Sequence, residues 1–258
     1  MDLVFLIVVV LGFCVGSFLN VLITRLSDRK RTLLSPRFSA CPHCNAPIRA
    51  RDNIPVLSYL LLRGRCRDCK SQISILYPLV ETAGAAIAAT AYLLHGFSLG
   101  GLAMAIFLYL LLAVAVTDFR TYFIPDFYTI GGAAVGLVLM LLSRGWGEAA
   151  RAAGDALIVA SMLWLLGVVV GRRMGREALG FGDVLLVGMM ATFLGFGSTV
   201  LAIYAAAVSG ILLYFVHRRL NSDRLIPFGL HLAIGGTLMA LIGETDYALM
   251  VQSFLPWY

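Results

Sequence analysis

Charge is what this chain has least of. Asp, Glu, Lys and Arg together make up 13% of its 258 residues and 60% are hydrophobic, whereas a soluble domain is about a quarter charged and about half apolar. That scarcity excludes an ordinary soluble fold of this length. Other absences narrow the field. There is no strand–GxGxxG–helix unit, so no cofactor cradle of that kind is encoded. No Ser/His constellation suggests a covalent hydrolase. No basic helix or aromatic platform accompanies the net charge of +6, so nucleic acid is not an expected partner. The first apolar run has no basic segment ahead of it and continues through Asn20 into a basic loop without a small-residue cleavage site. It reads as a retained helix, not as a cleaved signal.

Apolar length is what the chain does have. Runs of about 20 apolar residues recur, each long enough to cross roughly 30 Å of hydrocarbon. Eight spans are predicted, near 3–24, 74–95, 100–117, 126–142, 155–171, 181–197, 199–216 and 226–243. The sixth and seventh are joined by little more than Gly195-Phe196-Gly197. The expected fold is therefore all-α: a polytopic membrane protein in a lipid bilayer. A first transmembrane helix (1–24), a loop domain (25–73) and a transmembrane body (74–258) are its expected divisions.

Orientation follows from the basic residues. The loop 25–73 carries eleven of the twenty Lys and Arg, against Asp28, Asp52 and Asp68. Arg120, Arg172, Arg173, Arg176, Arg218, Arg219 and Arg224 fall on the same side, leaving Arg144 and Arg151 on the other. Basic residues mark the cytoplasmic side. The loop is expected there, with both termini facing outward.

That loop contains Cys41-Pro-His-Cys44 and Cys66-Arg-Asp-Cys69. Two Cys-x-x-Cys pairs can give four thiolates to one tetrahedral zinc. The alternatives are disulfides, which a reducing cytoplasm disfavours, or four unlinked thiols, which need no paired spacing. A small loop domain gains from a metal staple, and a site closed by four cysteines is structural. Gly64 is placed for a tight turn ahead of the second pair. Cys14, inside the first span, is expected to pack. His43 lies within a knuckle whose shell is already full, and His95, His217 and His231 are expected to be interfacial or capping residues.

Acids in or beside spans are costly, and so are candidates for function. Asp155 is expected at the start of the fifth helix, where a helix N-terminus favours it. Asp126, after Pro125, reads as an N-cap. Glu81, two turns into the second span, should pair with a buried base or line a polar cleft. Asp118 ends the third span and Asp183 begins the sixth, on the same side. They can meet at one depth, where one ionised carboxylate activates water and a protonated partner polarises a peptide carbonyl. Gly180 and Gly182 would let an extended substrate backbone approach. The other reading is two unrelated boundary aspartates, each solvated among headgroups.

The stretches GFCVGSFLNVLITRL, CPHC, DNIPVLSYLLLRGRCRDC, ISILYPLVE, VTDFRTYFIPD, GFGD and IPFGLHLAIGG follow one another from residue 12 to about 236. In this order they resemble the bacterial prepilin peptidases, the type IV leader peptidases of the GxGD class of membrane aspartyl proteases. The resemblance implies that Asp118, the first acid of D-x7-D, and Asp183, the acid of G-x-G-D, are catalytic. The four-cysteine loop looks like that of bifunctional members. These remove the basic leader of prepilins and pseudopilins at the cytoplasmic boundary of the inner membrane. They then methylate the new N-terminus with S-adenosylmethionine. Binding of that donor rests on the resemblance alone. Arg120 stands where many relatives have a second acid, and Leu185 where many have Lys. A peptidase without methyltransferase activity, or a transporter or assembly scaffold without enzymatic activity, are the other readings.

Overall fold

The computed structural model describes residues 3–27, 40–176, 178–219 and 227–254, with residues 27, 216–219 and 244–254 described as backbone only. It is all-helical, as expected: α1 (Leu3–Ser27), α2 (Leu57–Leu61), α3 (Leu76–His95), α4 (Leu99–Thr121), α5 (Asp126–Arg144), α6 (Trp146–Met174), α7 (Phe181–Arg219) and α8 (Phe228–Phe254), with a short 3-10 turn at Ala50–Asp52. Among the described residues there is no strand, only isolated bridges between Ala40 and Pro47 and between Arg65 and Gln72. Five helices are long and apolar enough to cross a membrane: α1, α4, α5, α6 and α7, the last over Phe181–Phe215. The 16-residue apolar stretch Phe228–Gly243 of α8 is shorter. The chain is a multi-pass membrane protein.

It divides into two compact units, Met1–Ala105 and Ile106–Tyr258. In the first, α1 packs along α3. Gly12 and Gly16 of α1 face Gly84 of α3 so closely that a Cβ on Gly16 would lie 2.7 Å from Glu81 Cα, and one on Gly84 would lie 2.8 Å from Gly16 Cα. Small residues spaced by four allow backbones to meet this way in lipid. Asn20 Nδ2 donates to the Tyr77 carbonyl at 3.1 Å beside them.

In the second unit α7 is the axis, packed on α5, α6 and α8. Gly195, at φ 74° and ψ 177°, divides it into two limbs. This is the glycine of the expected junction between the sixth and seventh spans. The first limb is enclosed nearly all round: Leu186, Val187, Met189, Met190 and Ala191 are fully buried. Phe193 stacks on Phe107 of α4 with ring centroids 4.9 Å apart. A helix apolar on every face has to be interior, and this one carries Asp183 at its start.

Several local expectations are corrected. Helix α6 begins at Trp146, so Asp155 lies mid-helix, and its Oδ2 accepts the Phe196 N–H at 3.2 Å. It therefore caps the second limb of α7 instead of its own helix. Pro125 occupies the N-cap of α5, and Asp126 is the first helical residue, exposed and without a capping bond. Cys14 is exposed on α1. His231 is buried within α8, with Nδ1 2.9 Å from Ser209 Oγ of α7. His95, by contrast, is exposed in the last turn of α3, at a span end as expected. The side chain of His217, the basic residues Arg29, Lys30, Arg31, Arg37 and Arg224, and Asp28 lie outside the described residues.

Candidate active site and metal centre

Asp118 sits in the last turn of α4. The helix stops one turn later, where Tyr122 takes a positive φ of 53° and its N–H closes on the Asp118 carbonyl at 2.9 Å. The Asp118 side chain is buried, and its Oδ2 accepts the Leu230 N–H at 3.0 Å. Leu230 belongs to the first turn of α8, whose N–H groups have no partner within their own helix. The carboxyl of Asp118 thus serves as an N-terminal acceptor for α8 and is fixed in orientation by it.

Asp183 opens the first limb of α7. Its N–H closes a turn on the Gly180 carbonyl at 3.1 Å. Its carboxyl folds back over that turn, so that a Cβ on Gly180 would lie 3.2 Å from Asp183 Oδ2. The half-buried Asp183 stands near enough to Asp118 for the two charges to interact. Asp118 and Asp183, 65 positions apart in the chain, are linked through Ile124, which lies against Gly182, the neighbour of Asp183, and against Gly229, which borders the Asp118 carboxyl.

Sequence reasoning missed what surrounds them. Ile124, buried, lies between the two glycines of the site. A Cβ on Gly182 would stand 3.3 Å from Ile124 Cβ, and one on Gly229 would stand 2.7 Å from Ile124 Cδ1 and 2.9 Å from Asp118 Oδ2. Gly182 therefore packs against Ile124, and it is Gly180 and Gly229 that border the carboxyls. Thr117 and Tyr128, close by in chain order, are buried and direct their hydroxyls at each other. Arg120 is exposed on α4. A cavity of about 430 Å³ in this unit lies around the Gly195 kink, lined by Arg144, Arg151 and Asp155 among others, and touches neither aspartate.

In the first unit the four cysteines converge as the spacing predicts. Their sulfurs all lie within 4.8 Å of one another, with Cys41 and Cys69 3.8 Å apart. A Zn–S bond of 2.3 Å gives tetrahedral sulfurs about 3.8 Å apart. The two knuckles are built alike. The Cys41 N–H reaches the Ala46 carbonyl (3.0 Å) and Cys66 the Ser71 carbonyl (2.8 Å), and the N–H after each second cysteine returns to the first (2.9 and 3.1 Å). Asn45 and Lys70, those following residues, both take positive φ. Gly64 turns at φ 66° ahead of the second knuckle, against the Tyr59 ring.

Four thiols this close do not ionise together. The backbone N–H groups of Cys44 and His43 bring the Cys41 thiol down to about 6. Cys44, although the Ala46 N–H favours its thiolate, is pushed up to about 12 by desolvation and by Cys69, Cys41 and Cys66. A divalent cation would neutralise that crowding, and the four residues could hold zinc. Arg67 brackets the cluster from outside, donating to Asp52 at 2.6 to 3.0 Å and holding its carboxyl below the usual carboxylate range. Glu81 forms no ion pair among the described residues: its Oε2 accepts the Val56 N–H at 2.7 Å.

Comparison with known proteins agrees along the chain. Residues 10–95 match the bacterial peptidase A24 N-terminal domain, and residues 105–215 match the type IV leader peptidase family. A prepilin leader peptidase/N-methyltransferase of Burkholderia pseudomallei is 36% identical, over 94% of this chain and 86% of the relative. One from Pectobacterium carotovorum is 36% identical over 88% and 89%. A type 4 prepilin-like proteins leader peptide-processing enzyme of Escherichia coli is 35% identical over 87% and 89%. No solved structure matches.

Proposed function

The chain belongs to the type IV leader peptidase family, and on that premise we propose that it removes the basic leader of type IV prepilins and pseudopilins and then methylates the exposed α-amine. The observation that supports the proteolytic half is that Asp118, in the last turn of α4, and Asp183, in the first turn of α7, flank the same residue, Ile124, through Gly229 and Gly182. The enzyme lies in the bacterial inner membrane, with its loop 25–73 and both aspartates on the cytoplasmic side. A prepilin's apolar segment would enter the bilayer while its basic leader stayed in the cytoplasm, which puts the scissile bond at the depth of the carboxyls.

Two carboxyls sharing a site divide one proton between them. The ionised member takes a proton from water, and the hydroxyl adds to the scissile carbonyl carbon. The protonated member gives its proton to the carbonyl oxygen. Collapse of the tetrahedral diol, with a proton passed to the amine, releases the leader. The Leu230 N–H holds Asp118 in place for this, and Gly180 and Gly229 keep bulk away from the carboxyls. Cys41, Cys44, Cys66 and Cys69 would hold zinc with every coordination position filled, which supplies folding energy to the loop and no Lewis-acid step. S-adenosylmethionine supplies an electrophilic methyl group when bound.

The test is a purified protein incubated with a prepilin peptide, with and without S-adenosylmethionine, and read by mass spectrometry. Leader release in both arms and one added methyl group in the second are expected. Asp118→Asn and Asp183→Asn should each abolish cleavage while insertion and metal content persist. The double variant should be little worse than either single one, because the pair acts as a unit. Cleavage at near wild-type rate by either single variant would overturn the two-aspartate reading, and cleavage without methylation would leave a peptidase alone.

A further inference from the structure

Glu81 takes no part in that chemistry, yet it sets the depth of the loop module. It lies five residues after the first residue of α3, about 7.5 Å along the helix axis at 1.5 Å per residue. Its bond to the Val56 N–H therefore draws the start of α2 down beside the second turn of a helix that the proposed topology places in the bilayer. The elbow there is rigid. Val56, a β-branched residue, is held at φ 60°, a costly conformation. Ser58 Oγ accepts the Ile54 N–H and donates to the Arg51 carbonyl, both at 3.0 Å.

From this fixed elbow α2 turns Leu57, Leu60 and Leu61 outward, the last two 63% and 73% exposed. Ile75 and Leu79, at the same end of α3, are also more than half exposed. Beside α2 is a cavity of about 400 Å³ lined by Leu62, Arg63, Arg65, Cys66 and Lys70. Arg63, Arg65 and Lys70 are exposed, while the acids of the described module, Asp52 and Asp68, are engaged by Arg67 and Arg49. An outward apolar turn tied to α3, next to three cations that no acid of the described residues neutralises, is complementary to a lipid anion. Acyl chains suit the leucines, and a phosphate suits the cations.

We propose that α2 lies in the membrane interface and that the cavity of Arg63, Arg65 and Lys70 binds the headgroup of an anionic phospholipid. The proposal needs α3 in the bilayer and is independent of the peptidase reading. It is tested on the full-length protein in nanodiscs of phosphatidylcholine with and without phosphatidylglycerol. In Leu61→Trp protein, corrected for the native tryptophans, brominated phosphatidylglycerol should quench the introduced indole more than brominated phosphatidylcholine at equal mole fraction. Replacing Arg63, Arg65 and Lys70 with Gln should remove that preference. It should also lower retention of phosphatidylglycerol in native mass spectrometry by roughly a hundredfold, at about fivefold for each of the three cations removed. Metal content reports whether the module of the triple variant is still folded, and Arg63→Gln alone should show a smaller loss of the same kind. Absence of quenching by either lipid would mean that the leucines face water or a protein partner and would overturn the proposal. Equal quenching with unchanged lipid retention would overturn the headgroup site.

Discussion

At the scale of single residues, a carboxyl beside a membrane helix is rare and expensive, which singled out five acids, and the family resemblance then drew attention to Asp118 and Asp183 among them. Their partners were not legible in the sequence. The Leu230 N–H that holds Asp118 is a backbone donor, which every residue except proline carries, and nothing in the side chain of Leu230 marks it. Gly229 has the same anonymity, yet its missing Cβ is what lets Asp118 reach the helix start. Gly229→Ala should therefore lower the rate of leader release by at least tenfold with little change in substrate affinity, since displacing a reacting group by a fraction of an ångström is costly. Gly131→Ala, whose Cβ would meet nothing, should leave kinetics unchanged. If steady-state kinetics on a prepilin peptide showed equal values for the two variants, the close approach at Gly229 would be irrelevant to catalysis.

At the scale of elements, hydropathy reported the membrane-crossing part of each helix and not the helix itself. The stretch 146–154 is Ala- and Gly-rich with Glu148 and Arg151, so it falls below an apolar threshold, yet it is helical and extends α6 upstream. That displacement moved Asp155 from a helix start to a helix middle. The kink it caps was marked in the sequence by its glycines, but its acceptor was not, because the acid is 41 positions away. Gly195 occupies a backbone region that is essentially closed to other residues. Gly195→Ala should cost about 1–3 kcal/mol and Asp155→Ala about 1 kcal/mol as a lost cap. Thermal midpoints in detergent should fall for both, with the double variant less than additive because both act on one turn. The paired cysteines were the most legible element of all, since both knuckles repeat one spacing and one backbone pattern. Cys66→Ser should lose the metal and impair methylation at least as much as cleavage. Elemental analysis that found no metal in fresh, reduced wild-type protein would exclude the zinc reading.

At the scale of the whole molecule, each unit is held together by contacts that hydropathy does not encode: glycines between α1 and α3 in one, an enclosed α7 limb in the other. Periodicity is silent about both, since a helix apolar on all sides has no preferred face to read. Orientation in the membrane, by contrast, is a property of the sequence alone. With the eight spans expected from hydropathy, the Lys and Arg count would divide eighteen to two between the sides, with only Arg144 and Arg151 on the lesser one. A bias of that size sets topology when the loops are short. Gly147, in the first turn of α6 beside those two arginines, has open space where a Cβ would go. Asn53, at the end of the 3-10 turn in the basic loop, is exposed. In a Cys14→Ser background with metal bound, an impermeant thiol reagent applied to intact cells should label Gly147→Cys and miss Asn53→Cys. Opening the membrane should then expose the second site to the same reagent. The reverse pattern would place Asp118 and Asp183 on the side opposite the prepilin leader, and the cleavage geometry proposed for them would fail with it.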